Sequence, residues 1–187
     1  MKKGFTLLEL LIVIGILAIL ATTVTIILNP AELLRQARDS QRLSDLESLN
    51  TATNLYVSTY STSTLFIGTS TQAQGTCTAG TASVFTGACT TSASTKVDGT
   101  GWITINYTLV PTGSPLSRLP MDPINNATYF YAFKATSTAS TWEIDGVLES
   151  NKYAVQQNLM TNDGGNKNTC PGVDCLYEIG SDPGLDL

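Results

Sequence analysis

The chain has 187 residues, 13% of them charged, a formal charge of −5 and no histidine. An acidic body argues against sequence-independent nucleic-acid binding, which draws on Lys and Arg. The missing imidazole removes the commonest general base and metal ligand, and there is no phosphate loop, nucleophile elbow or metal-ligand cluster, so the sequence points away from an enzyme. The length suits one modest domain plus an anchor helix.

The first element runs from Gly4 to Leu28, GFTLLELLIVIGILAILATTVTIIL, behind Lys2 and Lys3. At about 1.5 Å per residue it is long enough to cross a hydrocarbon core of roughly 30 Å as a helix. The lysines predict a cytoplasmic N-terminus and an extracytoplasmic body. Gly15 offers a point of close helix approach. Glu9 is the only formal charge from Phe5 to Leu28, and a carboxylate at that depth is expensive without a partner. A cut after Gly4 creates one, because it frees the α-amino group of Phe5. In a stack of such helices the Phe5 ammonium of one copy pairs with Glu9 of another and sets the register. A signal anchor with Glu9 snorkelling to the interface leaves the Gly-Phe-Thr junction unexplained.

Lys2-Lys3-Gly4-Phe5-Thr6-Leu7-Leu8-Glu9 resembles the class III leader of type IV pilins and type II secretion pseudopilins. The resemblance implies a four-residue leader, 1–4, removed after Gly4 by a prepilin peptidase that also methylates Phe5. It implies that Glu9 guides assembly and that the partners are further copies of the chain in a helical filament, an inner-membrane assembly platform, and membrane lipid before assembly. It places the chain in the cytoplasmic (inner) membrane as a single-pass protein, and then in a periplasmic or cell-surface filament. The fold it implies is α+β and pilin-like: a long N-terminal helix, membrane-spanning over 5–28 and amphipathic over 29–60, packed on a small antiparallel sheet within an extracytoplasmic domain, 61–187.

Asn29-Pro30 follows the apolar run. Pro30 lacks a backbone donor and clashes with the preceding turn, so a continuous helix kinked at Pro30 is the favoured expectation; a helix end with a fresh start at Pro30 is the alternative. From Ala31 to about Tyr60 the pattern is helical. Arg35, Arg38 and Arg42 share a face, with Glu32, Asp39, Asp45 and Glu47 as counter-charges. They stand either as contacts to neighbouring copies or as a solvated face. Above them Leu43, Leu46, Leu49, Thr53, Tyr56, Val57 and Tyr60 form a stripe that should pack under a sheet while the lower half stays exposed.

Residues 61–101 are rich in Ser, Thr and Gly and read as a connecting loop, either displayed to partners or simply solvated. The four cysteines fall into two close pairs, predicting disulfides Cys77–Cys89 and Cys170–Cys175 in an oxidising space. A zinc site of all four lacks the tight spacing such sites favour. Trp102–Val110, Ala127–Ala135 and Thr141–Glu149 read as strands of an antiparallel meander, with Ile103, Ile105, Tyr107 and Leu109 on one face of the first. Their aromatic residues read as core.

Pro120-Met121-Asp122-Pro123 with Tyr129-Phe130-Tyr131, and Trp142-Glu143-Ile144 with Leu148-Glu149-Ser150, are similar to patterns of major type II secretion pseudopilins. The long 61–101 loop and the cysteine pairs look more like pilus subunits. Major pseudopilins bind calcium in a C-terminal loop, which makes Asp163, Asn166 and Asp174 conceivable ligands; a Gly-rich turn with no cofactor is the favoured reading of that loop. A membrane-anchored binding module that stays unprocessed is a reading from outside the filament class.

Overall fold

The computed structural model describes residues 4–60, 74–78, 90–136, 141–157, 159–161 and 176–181. Two helices open the chain: α1, Leu7–Leu28, and α2, Pro30–Thr59. α1 is apolar around its whole circumference, and its span Leu7–Thr25 is entirely unburied. It is long and apolar enough to cross a membrane.

The helix does not continue through Pro30 as one kinked rod. α1 stops at Leu28, and Asn29 takes a left-handed conformation (φ 41, ψ 75). Asn29 is at once the C-cap of α1 and the N-cap of α2, with its Oδ1 accepting from Glu32 N. Pro30 then fills the first helical position, where its missing N–H has no bond to lose. Asparagine is one of the few residues that enters the left-handed region readily, so the break belongs to Asn29 as much as to Pro30.

The head is a sheet of order β2-β1-β3-β4-β5. The strands are β1 Gln74–Cys77, β2 Thr90–Thr91, β3 Tyr131–Thr136, β4 Thr141–Gly146 and β5 Tyr177–Gly180. β1–β3, β3–β4 and β4–β5 pair antiparallel, and only the short β1–β2 pair is parallel. The expected α+β, pilin-like architecture is the one observed. Two of the three expected strands are present as β3 and β4. Trp102–Val110 is not a strand. It makes one isolated bridge, Asp98 to Asn106, and then a 3-10 turn, Tyr107–Leu109. Consecutive Trp102 and Ile103 are both fully buried while Leu109 is exposed, which strict alternation forbids. The apolar residues of this segment plug the core from an irregular path. The further places in the sheet go to β1 and β2, from the expected loop, and to β5 near the C-terminus.

The core lies between one face of the sheet and α2. Leu46, Leu49, Ala52 and Tyr56 meet Tyr131, Phe133, Ala135, Trp142 and Ile144, with Trp102, Ile103, Ile105 and Tyr107 filling the side. The expected α2 stripe is thus the buried one. Burying each such aliphatic side chain contributes about 1.5–3 kcal/mol. Four of the large core aromatics have their polar tips engaged. Tyr107 Oη bonds with Thr53 Oγ1 at 2.9 Å, Trp142 Nε1 donates to Asn50 Oδ1 at 3.0 Å, Trp102 Nε1 donates to the Pro120 carbonyl at 3.0 Å and Tyr131 Oη donates to Asp45 Oδ2 at 2.9 Å. Three of these bonds hold α2 to the head.

Candidate functional site

Two places carry chemistry: the start of α1 and the foot of the head. Gly4 is exposed, with nothing within 4 Å of where a Cβ would sit, and Phe5 is 78% exposed. The junction expected to be cut, Gly4–Phe5, is therefore open backbone ahead of the helix. Thr6 is the N-cap of α1. Its Oγ1 accepts from Glu9 N at 3.2 Å, while Glu9 Oε2 accepts from Thr6 N at 2.8 Å and from Thr6 Oγ1 at 2.7 Å. This reciprocal capping box satisfies two orphan donors of the helix end. Within the single chain, Glu9 thus bonds Thr6, one residue from the nitrogen that a cut after Gly4 would free. The Thr-x-x-Glu spacing carries this signal in the sequence itself.

The arginine face resolves differently at each position. Arg42 is fully buried and donates four hydrogen bonds: Nε to Asp122 Oδ2 at 2.6 Å, Nη2 to Asp122 Oδ1 at 3.1 Å, and Nη1 to Asp39 Oδ1 and Glu149 Oε1, both at 2.8 Å. The Tyr129 ring lies 4.9 Å from its guanidinium carbon. Arg38 makes a two-pronged contact to Glu149, Nε to Oε1 at 2.6 Å and Nη2 to Oε2 at 2.9 Å. Arg35 stays exposed, 3.8 Å from Glu32. So Arg42 is not a solvated residue but is consumed inside the chain, and Arg38, with 32% of its side chain exposed, is paired there too. Of the expected counter-charges only Asp39 and Glu32 pair with arginines. Asp122 and Glu149, from distant segments, do the rest.

Backbone donors complete the cluster. Asp39 accepts from Glu149 N and Ser150 N, and Asp122 accepts from Ile124 N and Asn125 N. Three carboxylates against two guanidiniums are tolerable because these N–H groups carry part of the negative charge. Burial alone would lower the Arg42 pKa, but the bonds and charges of Asp122, Asp39 and Glu149 outweigh it and leave it above the ordinary arginine value. Burial likewise pushes Glu149 up, and the hydrogen bonds from Arg38 and Arg42 bring it net below the ordinary glutamate value. The cluster clamps α2 to the turn at Pro120–Asn125 and to the segment leaving β4.

On the far face of the sheet Glu143, Asp145 and Glu178 lie buried with carboxylate oxygens within 4.8 Å of one another, and Lys134 sits opposite Glu143 in the β3–β4 register. Cys77 is buried and is not a free thiol. Cys89, Cys170 and Cys175 lie outside the described residues, as do Asp163, Asn166 and Asp174.

Residues 1–25 match the family described as the prokaryotic N-terminal methylation motif. No curated protein and no solved structure matches the chain. The motif implies processing by prepilin peptidase and filament assembly in general, and the apolar helix fits a membrane-anchored protein of pilin type. The methylation motif over residues 1–25, the exposed apolar helix behind it and the long second helix seated on an antiparallel sheet together fit a protein of the type IV pilin and pseudopilin kind.

Proposed function

We propose that this protein is a structural subunit of a pilus-like filament, held in the cytoplasmic membrane through α1 with its head outside until it is cut after Gly4 and methylated at Phe5. The carrying observation is α1 itself: 22 residues, apolar all round, with its span Leu7–Thr25 entirely unburied. In the bilayer lipid covers it; in the filament other copies do. Glu9 then has two neutralising routes, the Phe5 ammonium of its own chain and that of an adjacent one, and the second fixes axial register. The inner-membrane assembly platform drives the exchange of lipid for protein contacts.

Within this class the type II secretion pseudopilin is the reading we adopt. Asp122 of the Pro120–Pro123 turn, part of the pattern that resembles major pseudopilins, is a working member of the Arg42 cluster. A pilus subunit for adhesion, motility or DNA uptake is the alternative. The proposed pairings are Cys77–Cys89 and Cys170–Cys175, which non-reducing peptide mapping reads directly. No cofactor is required by this role. Calcium at Asp163, Asn166 and Asp174 would show as a rise in melting temperature at millimolar calcium.

The test is mass spectrometry of the N-terminal peptide, from sheared filaments and from the remaining envelope. A methylated Phe5 start confined to the envelope supports the pseudopilin. The same start in the sheared fraction supports the pilus subunit. An intact Met1 in both overturns processing and polymerisation together.

A further inference from the structure

Asn29 is bonded to α2 through atoms that lie beyond its own N–Cα bond. Its carbonyl accepts from Glu32 N at 3.0 Å and from Leu33 N at 3.3 Å, and its Oδ1 accepts from Glu32 N at 3.4 Å. Pro30, the next residue, has no N–H to return to the α1 carbonyls, so it cannot supply the bond that closes the usual left-handed helix end. Turning about φ of Asn29 therefore swings α1 and leaves these three bonds in place. Here φ is 41, in the left-handed region that asparagine enters readily. The ordinary N-cap conformation is extended, at negative φ, and carries bonds of the same kind. One residue thus offers two positions of α1 on a fixed α2.

On the α2 side of the break the head reaches down to the first turn. Asn151 N donates to Glu32 Oε1 at 2.6 Å, Ser150 N donates to Asp39 Oδ2 at 2.7 Å, and the Glu149 carboxylate takes Arg38 and Arg42. Three consecutive residues beyond β4 thus run along α2 from Arg42 to Glu32, about 15 Å at helical rise. Glu32 is the third residue of α2, and only 19% of its side chain is exposed. Its N–H is bound by Asn29 and its carboxylate by the head, so one residue joins the break to the head.

From this we infer that Asn29 is a two-position swivel between α1 and the rest of the chain, and that Glu32 is the tether that carries the rigid body of the head up to it. Hinges are commonly a few element-terminal residues that absorb a large change in φ and ψ. Here the joint is one residue, because the tether holds the first turn of α2 and leaves no slack below it. α1 takes its direction from whatever surrounds it, and the head keeps its own. The inference goes beyond the proposed filament role. It needs only the two helices and the head, and it holds whether the chain stays uncleaved or assembles.

The test uses the full, uncleaved chain in detergent micelles, with distances between paired spin labels read by pulsed dipolar spectroscopy. Leu20→Cys with Ala37→Cys spans the swivel, and Leu33→Cys with Thr112→Cys lies within α2 and the head; all four sites are exposed. The native chain should give a distance distribution several-fold wider for the first pair than for the second. Asn29→Thr keeps an N-cap oxygen, but a β-branched side chain is an outlier at positive φ, so the first pair should narrow to a single peak. Glu32→Ala should widen the second pair and leave a control pair, Ser44→Cys with Thr112→Cys, unchanged. A first pair as narrow as the second in the native chain overturns the swivel, and so does an Asn29→Thr distribution as wide as the native one. A second pair unmoved by Glu32→Ala, or one that widens together with the control, overturns the tether. None of these outcomes bears on cleavage after Gly4, which the N-terminal peptide reports separately.

Discussion

Arg42 and Asp122, 80 residues apart in sequence, meet in a two-pronged ion pair with both side chains fully buried. Desolvating a guanidinium and a carboxylate costs several kcal/mol each, and the attraction repays it only when the remaining donors and lone pairs are also used. Here they are: Arg42 spends its other bonds on Asp39 and Glu149, and Asp122 takes two backbone N–H groups. Arg42→Met should therefore destabilise the head by about 3–5 kcal/mol, because it strands buried carboxylates. Denaturation of the full chain in detergent, followed by Trp102 and Trp142 fluorescence, measures it. Arg42→Lys should fall short of rescue, since an ammonium cannot reproduce the planar fork. A loss under about 1 kcal/mol for Arg42→Met would show the cluster to be dispensable.

Glu149 gives the head an acid limit. Its folded pKa lies below the ordinary 4.5, so the folded chain binds that proton more weakly than the unfolded one. The stability it contributes is fully present above the ordinary value and lost as pH falls through the folded one. Melting temperature against pH should drop on the acid side below that value, and Glu149→Gln should flatten the drop. An unchanged acid limb in Glu149→Gln would remove Glu149 from the account.

Asp45 should behave oppositely. Burial holds it above the ordinary 3.8, although Tyr131 and Gln41 hydrogen bonds and the Arg118 charge pull it down. A carboxyl that binds its proton more tightly when folded opposes folding once ionised, so acid titration of Asp45 adds stability. Asp45→Asn keeps an acceptor for Tyr131 and should leave stability at pH 7 unchanged or slightly raised. Asp122→Asn, by contrast, should lose about 3–5 kcal/mol. Equal losses in the two variants would contradict the assignment.

Gly180 is where β5 can approach β4. A Cβ there would lie 2.1 Å from the Trp142 carbonyl oxygen and 2.9 Å from Glu143 Cα. Backbone atoms cannot step aside as a side chain can, so Gly180→Ala should push β5 away and expose its amides to hydrogen exchange. Gly113, at φ +89 but with open space around it, should lose only about 1–2 kcal/mol on Gly113→Ala. Normal protection of β5 in Gly180→Ala would refute the close approach.

The capping box separates two roles of Glu9. Thr6→Ala and Glu9→Ala both break the reciprocal cap, at about 0.5–2 kcal/mol of helix stability. Only Glu9→Ala removes the carboxylate. If charge sets register, Thr6→Ala should assemble and Glu9→Ala should be cleaved but fail to assemble, read by N-terminal mass spectrometry and filament yield. Gly4→Leu should block cleavage itself. Equal assembly defects in Thr6→Ala and Glu9→Ala would reduce Glu9 to a cap.

The sequence by itself determined the elements whose causes are local. The apolar run, the Gly-Phe-Thr junction and the α2 stripe are each read within a turn or two of helix, because 3.6-residue periodicity acts over that range. Strands β3 and β4 were legible for the same reason, as alternation over a few residues. The tertiary structure decided what depends on partners far along the chain. Trp102–Val110 alternates like a strand yet fills the core from an irregular path, because burial at period two does not require a pairing neighbour. Arg38 and Arg42 look like a surface face until Asp122 and Glu149 arrive, and nothing near the arginines in sequence marks those carboxylates. Asn29, not proline alone, ends α1, because one residue can cap two helices when it enters the left-handed region. Local patterns set which residues seek burial or a cap; only the closed fold sets which distant charge satisfies them.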